Sequence, residues 1–195
     1  MHSSYDNNEQ LVLALQQGNE NAFDLLYERH HRSVLNVAFR LLGSRDAAED
    51  IAQEVFVTLY TSPKSYRPAA KFTTWLYRVT YNACIDEMRR SKNTGALPEG
   101  YDLCTSSTDI SPESAAESSE LARAVQSAIA SLPEKQRAAI VLQRYEGLSY
   151  QEIADVMKTS LPSVESLLFR AKESLRTKLV SYVGTTEVLQ PQFQK

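Results

Sequence analysis

The sequence predicts an all-α protein of two small helical domains joined by a flexible acidic linker, the C-terminal one a helix-turn-helix. Three observations predict it. Apolar residues recur at steps of three and four along both ends of the chain. No run shows the strict apolar–polar alternation of a half-buried strand. Between the ends, KNTGALPEGYDLCTSSTDISPESAAESS is rich in Ser, Thr, Pro, Gly and acid and has neither period. Such a segment cannot bury enough apolar surface to fold alone. The expected division is a first domain over 1–92, a linker over 93–118, a second domain over 119–183 and a tail over 184–195.

The elements follow in order. Leu11, Leu15, Ala22, Leu25 and Leu26 fall at helical spacing, and Val34, Leu35, Ala38, Leu41 and Leu42 do so again. Gly43 suits a helix C-cap, and Ser44 suits the next N-cap, with Asp46 in the first turn. That next helix, AAEDIAQEVFVTLY, turns Ala48, Ile51, Val55 and Leu59 inward. Pro63 and Pro68 bracket a loop, and a fourth helix is expected from near Thr73 to about Ser91. Beyond the linker, helices are expected over Leu121–Ile129 and Glu134–Tyr145, broken at Leu132-Pro133.

LSYQEIADVMKTSLPSVESLLFRAKESL then holds two short amphipathic stretches around a polar break of Lys158, Thr159 and Ser160. Ser149 and Glu152 make a capping-box pattern at the start of the first. Ile153, Ala154 and Met157 line its inner face, and Val164, Leu168, Ala171 and Leu175 line that of the second. The small Ala154 allows the close approach that a helix-turn-helix needs. Ser166, Phe169, Arg170 and Glu173 occupy the outer face of the second helix, with Lys172, Arg176 and Lys178 at its side and end. That face suits groove reading flanked by phosphate contacts. It equally suits a helical hairpin with a solvated charged face.

Net charge is −3, yet it is unevenly placed. Residues 1–92 carry 11 basic and 11 acidic side chains, 93–118 none and five, and 119–195 ten and eight. The chain-wide value is therefore a poor guide to what either end binds. No apolar run approaches the roughly 20 residues that span a bilayer, and MHSSYDNNEQ lacks the basic and apolar regions of a secretory signal. Cys84 and Cys104 lack metal-ligand spacing and read as free thiols. A cytoplasmic protein with no membrane insertion is expected. No Gly-rich phosphate loop, metal-ligand cluster or nucleophile constellation is found, so neither an enzyme nor a cofactor is expected.

LPEKQRAAIVLQRYEGLSYQEIADVMKTSLPSVESLLFRAKESLR resembles, almost end to end, the fourth conserved-region domain of bacterial sigma factors of the extracytoplasmic-function group. The resemblance runs from Ser119 to Leu179. It implies that the second helix of the pair enters the major groove of a −35 promoter element. Ser166, Phe169 and Arg170 would then face bases and phosphates, Arg144 and Lys172 would anchor the backbone, and Ser163 and Arg176 complete the −35 set. Two departures stand out. Lys158 occupies a turn position where many such units have Gly, at a cost of about 1 kcal/mol if φ is positive. Glu165 and Leu167 stand where many relatives have Lys or Arg, which implies weak autonomous DNA binding or a different −35 preference.

The N-terminal block is read first from its residues. Asp46, Glu49, Asp50, Gln53 and Glu54 share the outer face of the third helix, which by itself reads as a solvated acidic face. FTTWLYRVTYNACIDEMRRSK interleaves Phe72, Trp75, Tyr77 and Tyr81 with Arg78, Asn82, Arg89 and Arg90. Aromatic rings among cations suit opened or single-stranded nucleic acid, each stacked base contributing about 1–3 kcal/mol. Packing of Trp75 and Phe72 in the core is the plain alternative.

These stretches resemble the second conserved-region domain of the same group, and QQGNENAFDLLYERHHRSVLNVAFRLLG resembles its first part. SRDAAEDIAQEVFVTLY resembles the helix that docks on the β′ coiled coil of RNA polymerase, which implies a polymerase contact through Asp46, Glu49, Asp50, Gln53, Glu54 and Phe56. KFTTWLYRVTYNACIDEMRR resembles the segment that melts and reads the −10 element, which implies DNA contacts through Lys71, Trp75, Arg78, Asn82, Arg89 and Arg90. The loop Ser62–Lys71 would shape a pocket for a flipped-out base. Implied partners are core RNA polymerase (β′ clamp helices and β flap), promoter DNA and an anti-sigma protein. A free-standing helix-turn-helix regulator and a helical module that binds only protein are the rival readings.

Overall fold

The apolar periods become helices in the computed structural model, which describes residues 8–67, 71–94 and 122–180. An N-terminal unit holds α1 (Asn8–Gln16), α2 (Glu20–Leu42), α3 (Arg45–Thr61), a single 3-10 turn at Pro63–Ser65 and α4 (Phe72–Thr94). A C-terminal unit holds α5 (122–130), α6 (Glu134–Arg144), α7 (Tyr150–Met157) and α8 (Leu161–Leu179). No strand occurs among the described residues. The all-α architecture of two helical units is as expected. The tail over 184–195 and residues 95–118 of the expected linker lie outside the described residues.

Local chemistry sets the boundaries. Gly18 adopts φ +92 and separates α1 from α2. Gly43 ends α2 at φ 75, its N–H donating to the Phe39 carbonyl. Ser44 caps α3 by accepting from the Ala47 N–H. Ala48, Ile51, Val55 and Leu59 all turn inward, as their spacing predicts. One boundary and one burial differ from the expectation. α4 begins at Phe72 and runs through Thr94, into the expected linker. Leu25 is exposed although it shares the apolar period.

The start of α4 is fixed from a distance. Its first turn has no acidic residue of its own, and the Phe72 N–H donates instead to Glu9 Oε1 of α1 at 3.0 Å. A carboxylate at that end also complements the helix dipole. Gln16 Nε2 donates to the carbonyls of Pro63 and Tyr66 and so ties down the approach to α4. The Tyr66 ring then packs edge-on against Phe72 and Trp75, whose rings stack with centroids 5.8 Å apart. His30 lies edge-on to Phe72, and burial together with the neighbouring Arg29 lowers its pKa.

The helix-turn-helix forms as its pattern predicts. Ser149 and Glu152 make both bonds of a capping box at the start of α7. Lys158 ends α7 in the left-handed region at φ 50 and ψ 52, the conformation foreseen for a position where glycine is easier. The Ala154 carbonyl accepts from the N–H groups of both Lys158 and Thr159. Ile153, Ala154, Val164, Leu168 and Ala171 are buried, and Val156 joins them.

The two units pack together, α4 against α7 and α2 against α6. Polar contacts line the seam. The Tyr77 hydroxyl donates to the Glu146 carboxylate. Arg137 bonds the Leu41 carbonyl at the end of α2 and the Leu132 carbonyl of its own unit. The Arg40 guanidinium sits 3.8 Å over the Tyr145 ring.

Two substitutions probe these local devices. Glu9→Ala should lower unfolding free energy by about 1 kcal/mol, the usual scale of a lost helix cap. Lys158→Gly should raise it by up to about 1 kcal/mol by relieving the left-handed strain. Urea unfolding followed by circular dichroism measures both. A destabilised Lys158→Gly would show that the lysine side chain itself supports the turn.

Candidate nucleic-acid and protein interfaces

Three surfaces carry the residues singled out in the sequence. The first is the outer face of α3. Its inward residues anchor it against α2 and α4, which leaves Asp46, Glu49, Asp50, Gln53 and Glu54 exposed in one stripe. Arg45 pairs with Glu49 at 2.9 Å, with both side chains about half in water, so the pair contributes little to stability. Phe56 is a correction: it is only 3% exposed. Its step of five from Ile51 turns it toward α2, where Tyr27 packs on it edge-on at 4.8 Å. The apolar end of the stripe is instead Val57 and Tyr60, both exposed, with the Tyr60 ring edge-on to Phe23 of α2. The sequence does carry that signal, because Val57 and Tyr60 continue the three-and-four steps of the acidic residues.

The second surface is α4. Asn82, Arg89 and Arg90 are exposed and Arg78 is half-buried. Arg89 pairs with Asp86 at 3.3 Å and Arg90 with Glu87 at 3.5 Å, both within the helix. Such exposed pairs yield readily to a phosphate, which accepts the same donors. Trp75 is the second correction. At 4% exposure it is a core residue stacked on Phe72, and its ring is closed to a base in this arrangement. Tyr66 of the expected base pocket is also buried, and residues 68–70 of that loop lie outside the described residues. Lys71 is exposed but engaged, its ammonium 2.7 Å from Glu152 Oε1 of α7. Lys71, then Ser149, hold the Glu152 carboxyl down to about 2.

The third surface is α8. Val164, Leu168 and Ala171 bury one side of it, so the opposite side stands free. Ser166, Phe169 and Arg170 are exposed there, Phe169 to 68%. Ser163 is half-buried, its hydroxyl 2.8 Å from that of Ser160. Lys172 and Arg176 are exposed along the flank, and Arg144 is exposed at the end of α6. A large apolar ring left in water is unusual for a solvated face and suits contact with another macromolecule. Glu165 and Leu167 lie on either side of Ser166, the first exposed and the second half-buried.

Among the described residues no His, Cys, Asp or Glu cluster could hold a metal ion, and no helix is long and apolar enough to cross a membrane. Cys84 is a buried free thiol, and burial pushes its pKa up to about 12.

Comparison with known proteins gives matches in the same order as the two units. Residues 26–94 match Sigma-70 region 2, and residues 122–175 match Sigma-70, region 4. The chain is 38% identical over 177 residues to the ECF RNA polymerase sigma-E factor of Haemophilus influenzae, a match covering 87% of this chain and 93% of that one. It is 32% identical to the ECF RNA polymerase sigma factor SigW of Bacillus subtilis, covering 86% of this chain and 94% of that one. Among solved structures it resembles CnrH in complex with the cytosolic domain of CnrY. That match has a TM-score of 0.67 and 26% identity, and it covers 92% of this chain and all of that one.

The Glu152 carboxyl makes the seam sensitive to acid. It is held at about 2, below its ordinary 4.5, so its contribution is complete above 4.5 and is lost as pH falls toward 2. Glu152→Gln should therefore melt below the native chain at neutral pH, with the gap closing progressively in acid. Thermal melting across that pH range checks this. A gap that stays constant in acid would mean that the carboxylate charge does not hold these contacts.

Proposed function

Because the chain belongs to the extracytoplasmic-function group of RNA polymerase sigma factors, we propose that it binds core RNA polymerase and directs it to promoters through −10 and −35 elements. In this reading residues 1–92 form the docking and −10 domain, 93–118 the connection and 119–183 the −35 domain. The exposed α3 stripe is the single observation that supports docking most directly. Five polar or acidic side chains in a row, ending on exposed Val57 and Tyr60, offer charge and apolar area to one elongated partner surface. The β′ clamp helices are that partner.

The DNA roles follow from the remaining surfaces. α8 would enter the −35 major groove, with Arg170 on a base edge or phosphate, Phe169 on a thymine methyl, and Arg144, Lys172 and Arg176 along the backbone. α4 would hold the non-template −10 strand through Lys71, Arg78, Asn82, Arg89 and Arg90. Its buried Trp75 acts as the packing that sets their register. The relatives are non-enzymatic initiation factors, and the polymerase's own active site would make the RNA. An anti-sigma protein that holds the factor inactive belongs to the same proposal.

The test is binding of the full chain to core polymerase at moderate salt, beside an Asp50→Arg/Glu54→Arg variant. The native chain should bind and the variant should not. A folded native chain that fails to bind would favour a free-standing DNA-binding regulator instead. Arg170→Ala should keep normal core binding while −35-dependent transcription falls by about tenfold or more, the scale of one lost base contact. Loss of core binding in that variant would mean that the two domain functions are misplaced.

A further inference from the structure

One acidic side chain on α8 has no structural task. Glu165 is exposed, in a row of residues four apart with Leu161 and Phe169, which are 39% and 68% exposed. Nothing local accounts for its charge. The first turn of α8 holds no acidic residue, and Glu165 lies past that turn, where the helix dipole has faded. The residues three and four positions away are Leu161, Pro162, Leu168 and Phe169, so no cation can pair with it along the helix. Glu49, Asp86 and Glu87 differ, each holding an arginine within its own helix. Among the described residues the Glu165 carboxylate makes no hydrogen bond or ion pair. It stands between two exposed apolar side chains, near the end of α8 that reaches base edges when such a helix enters a groove.

We propose that Glu165 is a base-reading residue that accepts a hydrogen bond from the N4 amino group of a cytosine in the −35 element. The inference rests on the reading of α8 as the major-groove helix and names one determinant of its sequence preference. An ionised carboxylate can only accept. Phosphates repel it, and so do the acceptor edges of guanine and thymine. Only two base groups donate in the major groove, cytosine N4 and adenine N6. Adenine sets its N7 acceptor beside that donor, which opposes the second carboxylate oxygen. Cytosine has no acceptor on its own edge there, so it is the base that suits a carboxylate. Leu161 and Phe169, one turn to either side, suit thymine methyls and exclude water from the contact between them. A bond to a charged group shielded in this way is strong when made and costly when left unmade. Glu165 therefore weakens binding to most sequences and restores it at one, which is discrimination by repulsion as well as by attraction.

The experiment uses the full chain with core polymerase and a genomic fragment from which the two start transcription. The −35 element of that fragment is varied one base pair at a time, and RNA is counted for the native chain, Glu165→Ala and Glu165→Gln. Both substitutions place a good helix former at an exposed helix position, so the fold is kept. The native chain should favour cytosine at one position, on either strand, by about fivefold or more, the scale of one mismatched base pair. Glu165→Ala should flatten that position to within about twofold while the preferences at other positions persist. Glu165→Gln, which offers a donor beside an acceptor, should move the preference to adenine. A cytosine preference retained in Glu165→Ala would overturn the proposal. So would a uniform rise in RNA from every fragment with no change in base preference, which would leave the carboxylate as a general repulsion of phosphate. A native chain that discriminates at −35 positions without any cytosine dependence sinks the role of Glu165 alone. A native chain indifferent to every −35 substitution sinks the groove-reading role of α8 and this inference together.

Discussion

The aromatic stack at the start of α4 is the constraint on which the rest depends. Tyr66, Phe72 and Trp75 pack as one group, and Glu9 supplies the cap that the helix lacks. Together they fix where α4 begins and how it is rotated. Because α4 is a single rigid helix to Thr94, that rotation places Arg78, Asn82, Arg89 and Arg90. It also decides which side of α4 meets α7, and hence where Tyr77 and Lys71 find their carboxylates. A stack made of three large rings is stiff because such rings lose little by being ordered and gain much by burial. The aromatic residues near a presumed nucleic-acid site here build the support on which the polar contacts sit.

That distinction explains how much could be read from the sequence. The Gly43 and Ser44 caps and the capping box were legible, because each depends on residues within a turn of one another, while the turn at Lys158 was marked only by the resemblance. The inward stripes of α3 and α8 were legible for the same reason. Phe56 and Trp75 were not. Both lie beside exposed polar residues, and only the position of α2 and of the loop around Tyr66 turns their rings inward. The Glu9 cap spans 63 residues of sequence and Lys71–Glu152 spans 81, so no local pattern announces either. Val57 and Tyr60 were visible in the spacing, yet an apolar residue in a helix reads as core until the neighbouring helices are placed.

The acidic balance of the chain fits this division of labour. The outward stripe of α3, where a protein partner is proposed, is acidic, while the cations of α4 and α8 are held in weak exposed pairs or stand free at the helix flanks. A factor brought to DNA by a large polymerase has no need of a strongly basic surface. Tight DNA binding by the free chain would instead draw it to the great excess of non-specific sites. Glu165 on the exposed side of α8 works in that direction.

The central claim is that this chain gives core polymerase a sequence-specific start point. It is tested most directly by transcription from a supercoiled library of fragments of the source genome, with core polymerase and the purified chain, followed by sequencing of RNA 5′ ends. The account predicts a small set of recurrent starts, absent with core alone, that share two short elements separated by a fixed spacer. Starts that are scattered and indifferent to the added chain would contradict it.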